Sequence, residues 1–143
     1  MAVKIKETQY TLNKFDRNIL YFAKTLALKS EVNGKHAGIA VLDGKIVSKG
    51  INYYFPKGNI HRGSTIHAEM ATLNKLSQDE VKKCILYVTR STPSCLGHTF
   101  SRPCKRCMKD LISRKVKTVI YSCGNVNEWN NNSCAILLKF IYP

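Results

Sequence analysis

Two short motifs contain the side chains best suited to chemistry. His67 and Glu69 are separated by one residue, and Cys104 and Cys107 follow Pro103 with two residues between the cysteines. One imidazole and two thiolates are donors that suit a tetrahedral Zn²⁺ ion with its fourth position left open. Three protein ligands are typical of a catalytic zinc site, since a structural site normally closes with a fourth Cys or His. The motifs therefore predict one catalytic Zn²⁺ held by His67, Cys104 and Cys107.

Glu69 is the residue that favours catalysis over a simple zinc knuckle. Its position lets it reach a water molecule on the metal without being forced to ligate the metal. Zinc lowers the pKa of such a water toward about 7, and a carboxylate beside it can take up the proton and pass it to a leaving group. We predict that Glu69 is the catalytic acid and base.

The elements expected in the first third of the chain are a helix and a hairpin. Asp43 and Gly44 separate the apolar runs 37–42 and 45–50, which predicts two strands joined by a tight turn. A helix is predicted before this hairpin from five apolar residues that recur at steps of three and four along one face: Leu12, Phe15, Ile19, Phe22 and Leu26. Thr11 or Asn13 is placed to cap the start of that helix.

The remaining elements place each motif at the start of a helix. We predict helices at about 65–76, with Ile66, Met70, Leu73 and Leu76 inward, and at about 103–113. Strands are predicted at 85–89, 116–122 and 134–141, with loops at 52–64, 91–102 and 124–132. Free N–H groups and positive dipole ends at helix N-termini favour the thiolates. The element order predicts a single α/β domain over residues 1–143, with a mixed five-stranded sheet and helices on both faces or mainly on one.

The sequence resembles the zinc-dependent cytidine/deoxycytidylate deaminase superfamily, whose marks are H-x-E followed by P-C-x-x-C. The resemblance covers about residues 12 to 122 and rests on the segments HAGIAVLDGKIVSKGIN, TIHAEMATLNKL and SRPCKRCMKDLISRKVKTVIYS. It implies the three-layer-like cytidine deaminase fold and the zinc ligands named above. It also implies a hydrolase in which a zinc-bound hydroxide attacks the amine-bearing ring carbon while Glu69 shuttles the proton.

Three main substrate contacts, at Asn52, Ala68 and Arg102, and an oligomeric state are further expectations. Asn52 is similar to the Asn that contacts the sugar in this family, although a loop Asn also bonds its own backbone. The backbone of Ala68 would help to hold the base beside the metal. Arg102 and Lys105 are suited to a substrate phosphate, and a solvated helix surface is the alternative for both. Relatives are commonly oligomeric near the site, so we expect a homodimer.

Net charge and the resemblance together predict the substrate class. The chain has 23 Lys and Arg against 9 Asp and Glu, a net charge of +14, which favours phosphate-bearing partners or is simply a solvated surface. We expect an enzyme of pyrimidine nucleotide metabolism that converts dCMP to dUMP. The alternative is a deaminase of cytosine or adenine bases in RNA or single-stranded DNA. A non-catalytic zinc-binding or nucleic-acid-binding module is a third possibility, and Glu69 argues against it.

The family assignment leaves the subfamily open. His67 stands where the free-nucleoside cytidine deaminases have Cys, which places the chain nearer the deoxycytidylate and nucleic-acid deaminases. Only 21 residues follow Ser122, which is short for the helix and parallel strand that those groups usually carry. We therefore predict an antiparallel hairpin at the end of the chain.

The remaining signals concern location and the other His, Cys and aromatic residues. No apolar run approaches the ~18 residues that span a bilayer, and the start lacks a signal-peptide pattern. We therefore expect a soluble protein, cytoplasmic or otherwise intracellular, with reduced thiols and no membrane partner. His36 is interpreted as a hydrogen-bonding residue rather than a metal ligand. Cys84, Cys123 and Cys134 are predicted to be small core residues. Two weaker signals are a second, structural zinc at Cys95 and His98 with His61, where unligated loop residues are the favoured alternative, and base stacking by Phe100 and Trp129, where packing of their loops is an equal alternative.

Overall fold

A six-stranded mixed sheet carries the elements around the two motifs. The structure, a computed structural model, describes residues 2–55, 64–91, 101–123 and 134–143. The six strands lie in the order β1-β8-β7-β6-β2-β3, and β4 and β5 form a separate pair. In chain order the elements are β1 (Lys4–Thr11), α1 (Lys14–Ala27), β2 (Lys35–Leu42), β3 (Lys45–Ile51), β4 (Tyr53–Phe55), β5 (Ser64–Ile66), α2 (Ala68–Leu73), α3 (Gln78–Lys83), β6 (Ile85–Ser91), α4 (Lys105–Ser113), β7 (Thr118–Cys123) and β8 (Cys134–Ile141).

The strand pairing confirms the hairpin predictions and corrects the strand count. β2 and β3 pair antiparallel across Asp43 and Gly44, both of which have positive φ (51° and 76°). β6 and β7 run parallel, and β7 and β8 form the expected antiparallel ending. The sheet has six strands rather than five because β1 pairs with β8 along its whole length. The residues of β1 are almost all exposed, because β1 is an edge strand. They therefore lack the alternation of apolar and polar residues by which a strand is predicted.

Helices cover both faces of the sheet, which confirms the predicted α/β fold. Successive side chains of a strand point to opposite faces, so Tyr87 lies in one core cluster while Leu86 and Val88 lie in the other. The cluster around Tyr87 includes the buried side of α1. The opposite cluster contains residues of α2, α3 and α4, among them Leu73, Val81 and Leu111. Among the described helices, none has the length and apolar character of a membrane-spanning segment.

The first helix begins as predicted at an Asn cap but turns a different face inward. The Asn13 side chain accepts a hydrogen bond from the Asp16 N–H at 2.8 Å, and the Asp16 side chain accepts one from the Asn13 N–H at 3.2 Å. Asp16 is buried because its carboxylate also accepts hydrogen bonds from the hydroxyls of Tyr10, at 3.0 Å, and Tyr87, at 2.6 Å. This network fixes the rotation of the helix about its axis.

The predicted apolar face of α1 is therefore only partly correct. Leu12 and Ile19 are buried, but Phe15 and Phe22 are 42% and 38% exposed. The residues of α1 that are buried are Asp16, Ile19, Leu20, Ala23 and Ala27. Their small alanine side chains allow the helix to lie close to β2 and β6. Most of the buried positions of α1 are therefore one residue later in the sequence than the predicted apolar positions.

The predicted helix over 65–76 is divided into two elements, and a third, unpredicted one follows it. Ile66 lies in β5, where it pairs with Tyr53 of β4. His67 then begins the short helix α2, and Ser77 caps the unpredicted helix α3 through a capping box with Glu80. The predicted helix from Pro103 begins two residues later, because Cys104 is the N-cap of α4.

Close packing of α2 on β3 gives a testable requirement for glycine at position 50. A Cβ atom at Gly50 would lie 2.7 Å from the Thr72 nitrogen and 2.9 Å from the Ala71 carbonyl carbon. Gly50→Ala is therefore expected to lower the free energy of unfolding by about 1–3 kcal/mol through overpacking. Urea denaturation measures this change. Gly34→Ala is the matched control, because its Cβ would approach no atom closer than 3.4 Å; an equal loss in both variants would contradict the packing argument.

Candidate metal centre

The ends of two helices bring the three predicted ligands together. His67 is the N-cap of α2, Cys104 is the N-cap of α4, and Cys107 lies in the first turn of α4. The His67 Nδ1 atom lies 3.1 Å from Cys107 Sγ and 3.5 Å from Cys104 Sγ. All three ligand atoms lie within 4.8 Å of one another.

The spacing and chemistry of these donors fit one Zn²⁺ ion. A tetrahedral zinc with ordinary Zn–N and Zn–S lengths would hold a nitrogen and a sulfur about 3.5 Å apart, close to the separations observed. In the part of the chain that the structure describes, no fourth His, Cys, Asp or Glu belongs to the group. The set of three is that of a catalytic site with one open position.

Glu69 lies beside His67, Cys104 and Cys107, which together are called the metal group. Its side chain is almost completely buried, with 4% of the residue's surface exposed. Burial raises the pKa of its carboxyl, opposed by a backbone hydrogen bond, the nearby charge of His67 and a hydrogen bond with the Cys107 side chain. Burial, followed by the negative charge of Glu69, in turn raises the pKa of the Cys107 thiol in the metal-free protein. A bound cation would oppose both shifts, because it favours the ionised form of each group.

A cavity of about 230 Å³ opens over this group. Asn52, Ala68 and Arg102, the three predicted substrate contacts, all line it. Cys107 is buried, with 2% of its surface exposed. The described residues that line the cavity are Val32, Gly34, His36, Asn52, Thr65, His67, Ala68, Glu69, Arg102 and Cys104. The structure thus brings the predicted metal, catalytic and substrate residues to one place.

The side chain of Asn52 bonds the backbone that leads into β2. Its Nδ2 donates to the Gly34 carbonyl oxygen at 2.6 Å, and its Oδ1 accepts from the His36 N–H at 3.0 Å. One amide hydrogen and the oxygen of Asn52 therefore bond the backbone of Gly34 and His36, a distant segment, and not its own backbone as the alternative had it. The second amide hydrogen has no partner among the described residues, and Asn52 lies on the cavity wall.

Arg102 lies at the cavity and is paired with a residue that the sequence did not single out. Its Nε donates to Glu7 Oε1 at 2.7 Å, and both side chains are about one-third exposed. Glu7 comes from β1, which no sequence pattern predicted. An exposed pair of this kind contributes about 0–1 kcal/mol to stability, so its main effect is to orient Arg102.

A buried group of hydroxyls fixes the segment before Cys104. The Ser101 N–H donates to the Ser122 carbonyl oxygen at 3.1 Å, and its hydroxyl reaches the Val88 carbonyl oxygen at 3.1 Å. The Ser122 hydroxyl lies 2.8 Å from that of Ser101 and 3.0 Å from that of Thr89. These contacts tie the metal-binding segment to the ends of the parallel strands β6 and β7. Nothing in the sequence around Ser101 indicated this role.

The weaker predictions have mixed outcomes. His36 is a hydrogen-bonding residue outside the metal group, as expected, with Nδ1 2.8 Å from the Gly34 carbonyl oxygen. Cys84 is buried as predicted, and burial raises the pKa of its thiol to about 11. Lys105 is exposed. The predictions for His61, Cys95, His98, Phe100 and Trp129, and for the side chains of Cys123 and Cys134, lie outside the described residues.

Comparison with known families decides the class of protein. Residues 13–123 match the family model described as the cytidine and deoxycytidylate deaminase zinc-binding region. The chain belongs to this deaminase family. The matched range contains the metal group, Glu69 and the three predicted substrate contacts. β1 and β8 lie outside the matched range.

Two solved structures have a fold similar to that of this deaminase-family chain. Acinetobacter baumannii RibD, form 1, is 24% identical with a TM-score of 0.52, over 77% of this chain and 28% of that protein. Form 2 is 20% identical with a TM-score of 0.52, over 80% of this chain and 31% of that protein. The chain thus spans less than a third of each RibD chain, and the likeness shows the fold. No curated protein matches the chain significantly.

Proposed function

We propose that the chain, as a single domain over residues 1–143, catalyses the hydrolytic deamination of a cytosine nucleotide, dCMP to dUMP. The observation that carries this proposal is the buried Glu69 carboxylate beside the His67, Cys104 and Cys107 donors. Glu69, His67 and Cys104 line one cavity. Zinc bound by these donors supplies an activated water and Lewis acidity. A non-catalytic zinc module would have no use for a buried carboxylate at this position.

Glu69 is the group that moves the proton. A carboxylate oxygen of Glu69 takes a proton from the attacking water and delivers it to the ring nitrogen of the base. A carbon–oxygen bond forms at the amine-bearing ring carbon, and the carbon–nitrogen bond then breaks. Glu69 then takes the proton of the newly added hydroxyl and delivers it to the departing amine. The hydroxyl thereby becomes the carbonyl oxygen, and cytosine and water give uracil and ammonia. The buried position of the carboxylate limits exchange of that proton with bulk water.

The size of the cavity indicates how a nucleotide would lie. Its volume of about 230 Å³ is below the roughly 300–1,000 Å³ of pockets that enclose a drug-sized ligand. The base therefore occupies the cavity, with its amine toward the metal group and its ring near the Ala68 backbone. Asn52 faces the sugar, and the partly exposed Arg102 is placed to meet the phosphate.

Arg102 is expected to distinguish nucleotides from nucleosides. Arg102→Gln should raise the KM for dCMP about three- to tenfold, as expected for the loss of a partly exposed charge-assisted hydrogen bond. The KM for deoxycytidine should not change, because that compound has no phosphate. Steady-state kinetics with both compounds measure this. Arg106→Gln, on the exposed surface of α4, is the matched control, and an equal effect of the two variants would contradict the phosphate contact.

The function itself is tested by ammonia release from dCMP, CMP, dCTP and the corresponding nucleosides with the zinc-loaded protein. The proposal predicts the highest kcat/KM for dCMP. Activity confined to unphosphorylated compounds would overturn the phosphate part. Absence of activity on every cytosine nucleotide would overturn the proposed reaction.

The net charge of +14 favours one alternative, a deaminase of cytosine or adenine bases in RNA or single-stranded DNA. Phosphate neutralisation by Lys and Arg supplies most non-specific affinity for nucleic acid. Filter binding of oligonucleotides at increasing salt separates the two functions, because a nucleotide deaminase should bind negligibly at physiological ionic strength. The homodimer and the intracellular location stay predictions.

A further inference from the structure

His36 is a titratable side chain on the cavity wall to which the proposed reaction gives no role. It is half-buried, lines the cavity together with Asn52 and Glu69, and is not part of the metal group. Its position raises the question of which part of a substrate an imidazole could contact there.

A set of backbone hydrogen bonds holds His36 and Asn52 as one unit. The Gly34 carbonyl oxygen accepts from both His36 Nδ1, at 2.8 Å, and Asn52 Nδ2, at 2.6 Å. The His36 N–H donates to Asn52 Oδ1 at 3.0 Å, and the Asn52 N–H donates to the His36 carbonyl oxygen at 3.3 Å. Ser30 Oγ donates to the Asn52 carbonyl oxygen at 2.7 Å. The orientation of both side chains is therefore set before any substrate binds.

These bonds also determine which ring nitrogen of His36 carries the proton. A carbonyl oxygen can only accept, so Nδ1 must be the donor to Gly34 and Nε2 of the neutral ring carries a lone pair. Among the described residues, Gly34 is the only hydrogen-bond partner of the ring. Burial lowers the pKa of His36, which favours the neutral ring at pH 7.

His36 and Asn52, which both line the cavity, thus offer an acceptor at His36 Nε2 and a donor in the second amide hydrogen of Asn52. Within cytosine, O2 and N3 are acceptors, and the only N–H donor is the amine that must lie at the metal group. An acceptor on the wall therefore has no partner on the base. The donors that remain in a cytosine nucleotide at neutral pH are the hydroxyls of the sugar, which both donate and accept.

We propose that His36 determines specificity for the sugar, its Nε2 atom accepting a hydrogen bond from a sugar hydroxyl of the substrate while Asn52 donates to the same part of the sugar. This inference rests on the proposed deamination of a cytosine nucleotide. It adds to the expected Asn52 contact an acceptor that requires a hydroxyl, so a nucleotide lacking sugar hydroxyls should be a poor substrate.

The test compares His36→Asn and His36→Gln with dCMP and with 2′,3′-dideoxycytidine monophosphate, which lacks both sugar hydroxyls. An Asn amide can keep the donor to Gly34 but has no acceptor at the Nε2 position, whereas the longer Gln side chain can place its amide oxygen near that position. His36→Asn should raise the KM for dCMP about tenfold, as expected for one lost hydrogen bond. The KM for the dideoxy compound should change less than twofold, and His36→Gln should recover part of the loss.

Zinc content and the midpoint of thermal unfolding confirm that the variants are folded and loaded. An equal change in KM for both compounds, or no change for either, would overturn the role of His36. If the wild-type protein releases no ammonia from either compound, the proposed function fails. Calorimetric binding of the two compounds to wild type and His36→Asn then decides the inference separately: a tenfold loss confined to dCMP supports it, and any other pattern overturns it.

Discussion

Glu69→Gln is expected to lower kcat for deamination by roughly 10²–10⁴-fold, the usual contribution of a general acid and base, while one Zn²⁺ per chain stays bound. Glutamine has nearly the same size as glutamate, so the buried packing around residue 69 is kept. Its amide cannot take up a proton from water and return it to the departing amine. Ammonia release gives the rate, and elemental analysis gives the zinc content.

A surface substitution of the same chemistry controls for charge. Glu31 is exposed and does not line the cavity, so Glu31→Gln should leave the rate unchanged. Substantial activity in Glu69→Gln would contradict the assigned role. Loss of zinc together with activity would mean that Glu69 supports the metal group rather than the proton transfer.

Cys107→Ser should remove both the metal and the activity. Cys107 Sγ lies 3.1 Å from His67 Nδ1 and its residue is 2% exposed, so no other side chain can easily replace it. Loss of a residue that only hydrogen-bonds to a metal ligand typically weakens metal affinity about 10–100-fold. Loss of a direct ligand such as Cys107 should weaken zinc affinity by more than this. Ammonia release should fall to background, and zinc titration with a competing chelator measures the affinity.

Zinc binding should also stabilise the folded chain, and Cys107→Ser allows this effect to be tested with a chelator. A metal that binds only the folded chain stabilises it by about 2.7 kcal/mol at one hundred times its dissociation constant. A chelator should therefore lower the unfolding midpoint of wild type and leave that of Cys107→Ser unchanged. Cys84→Ala is the matched control, since Cys84 is a buried cysteine outside the metal group. It should lose stability but keep zinc; zinc retained by Cys107→Ser would contradict the assignment.

Local sequence patterns predicted much of the site because its ligands lie at helix starts. The Pro103–Cys107 motif and the segment around His67 each give a short-range signal, and the hairpin turn at Asp43 and Gly44 is equally local. The structure adds that Cys104 itself caps α4 and that α2 starts directly after His67. Such features depend on residues within one helical turn, which sequence spacing describes well.

Contacts between distant parts of the chain could not be predicted in the same way. Glu7 reaches Arg102 only because the exposed strand β1 pairs with β8. The buried face of α1 is set by Asp16, whose partners Tyr10 and Tyr87 lie on two different strands. A carboxylate on a helix is normally expected at the surface, so periodicity alone favours the wrong stripe.

The bonds that join Asn52 and His36 are a third example. The two residues are 16 positions apart, and their link through the Gly34 carbonyl oxygen depends on how β2 and the end of β3 are aligned. Sequence alone indicated a sugar contact for Asn52 by resemblance and a hydrogen-bonding role for His36. The structure shows that one set of backbone bonds orients both.

Anomalous diffraction at the zinc absorption edge, from crystals of the zinc-loaded protein, tests the central claim most directly. The account predicts a single peak about 2.0–2.1 Å from His67 Nδ1 and about 2.3 Å from the Sγ atoms of Cys104 and Cys107. The Glu69 carboxylate should lie at the open side of the ion without ligating it. A peak elsewhere, or a fourth protein side chain that closes the coordination, would contradict a catalytic zinc centre.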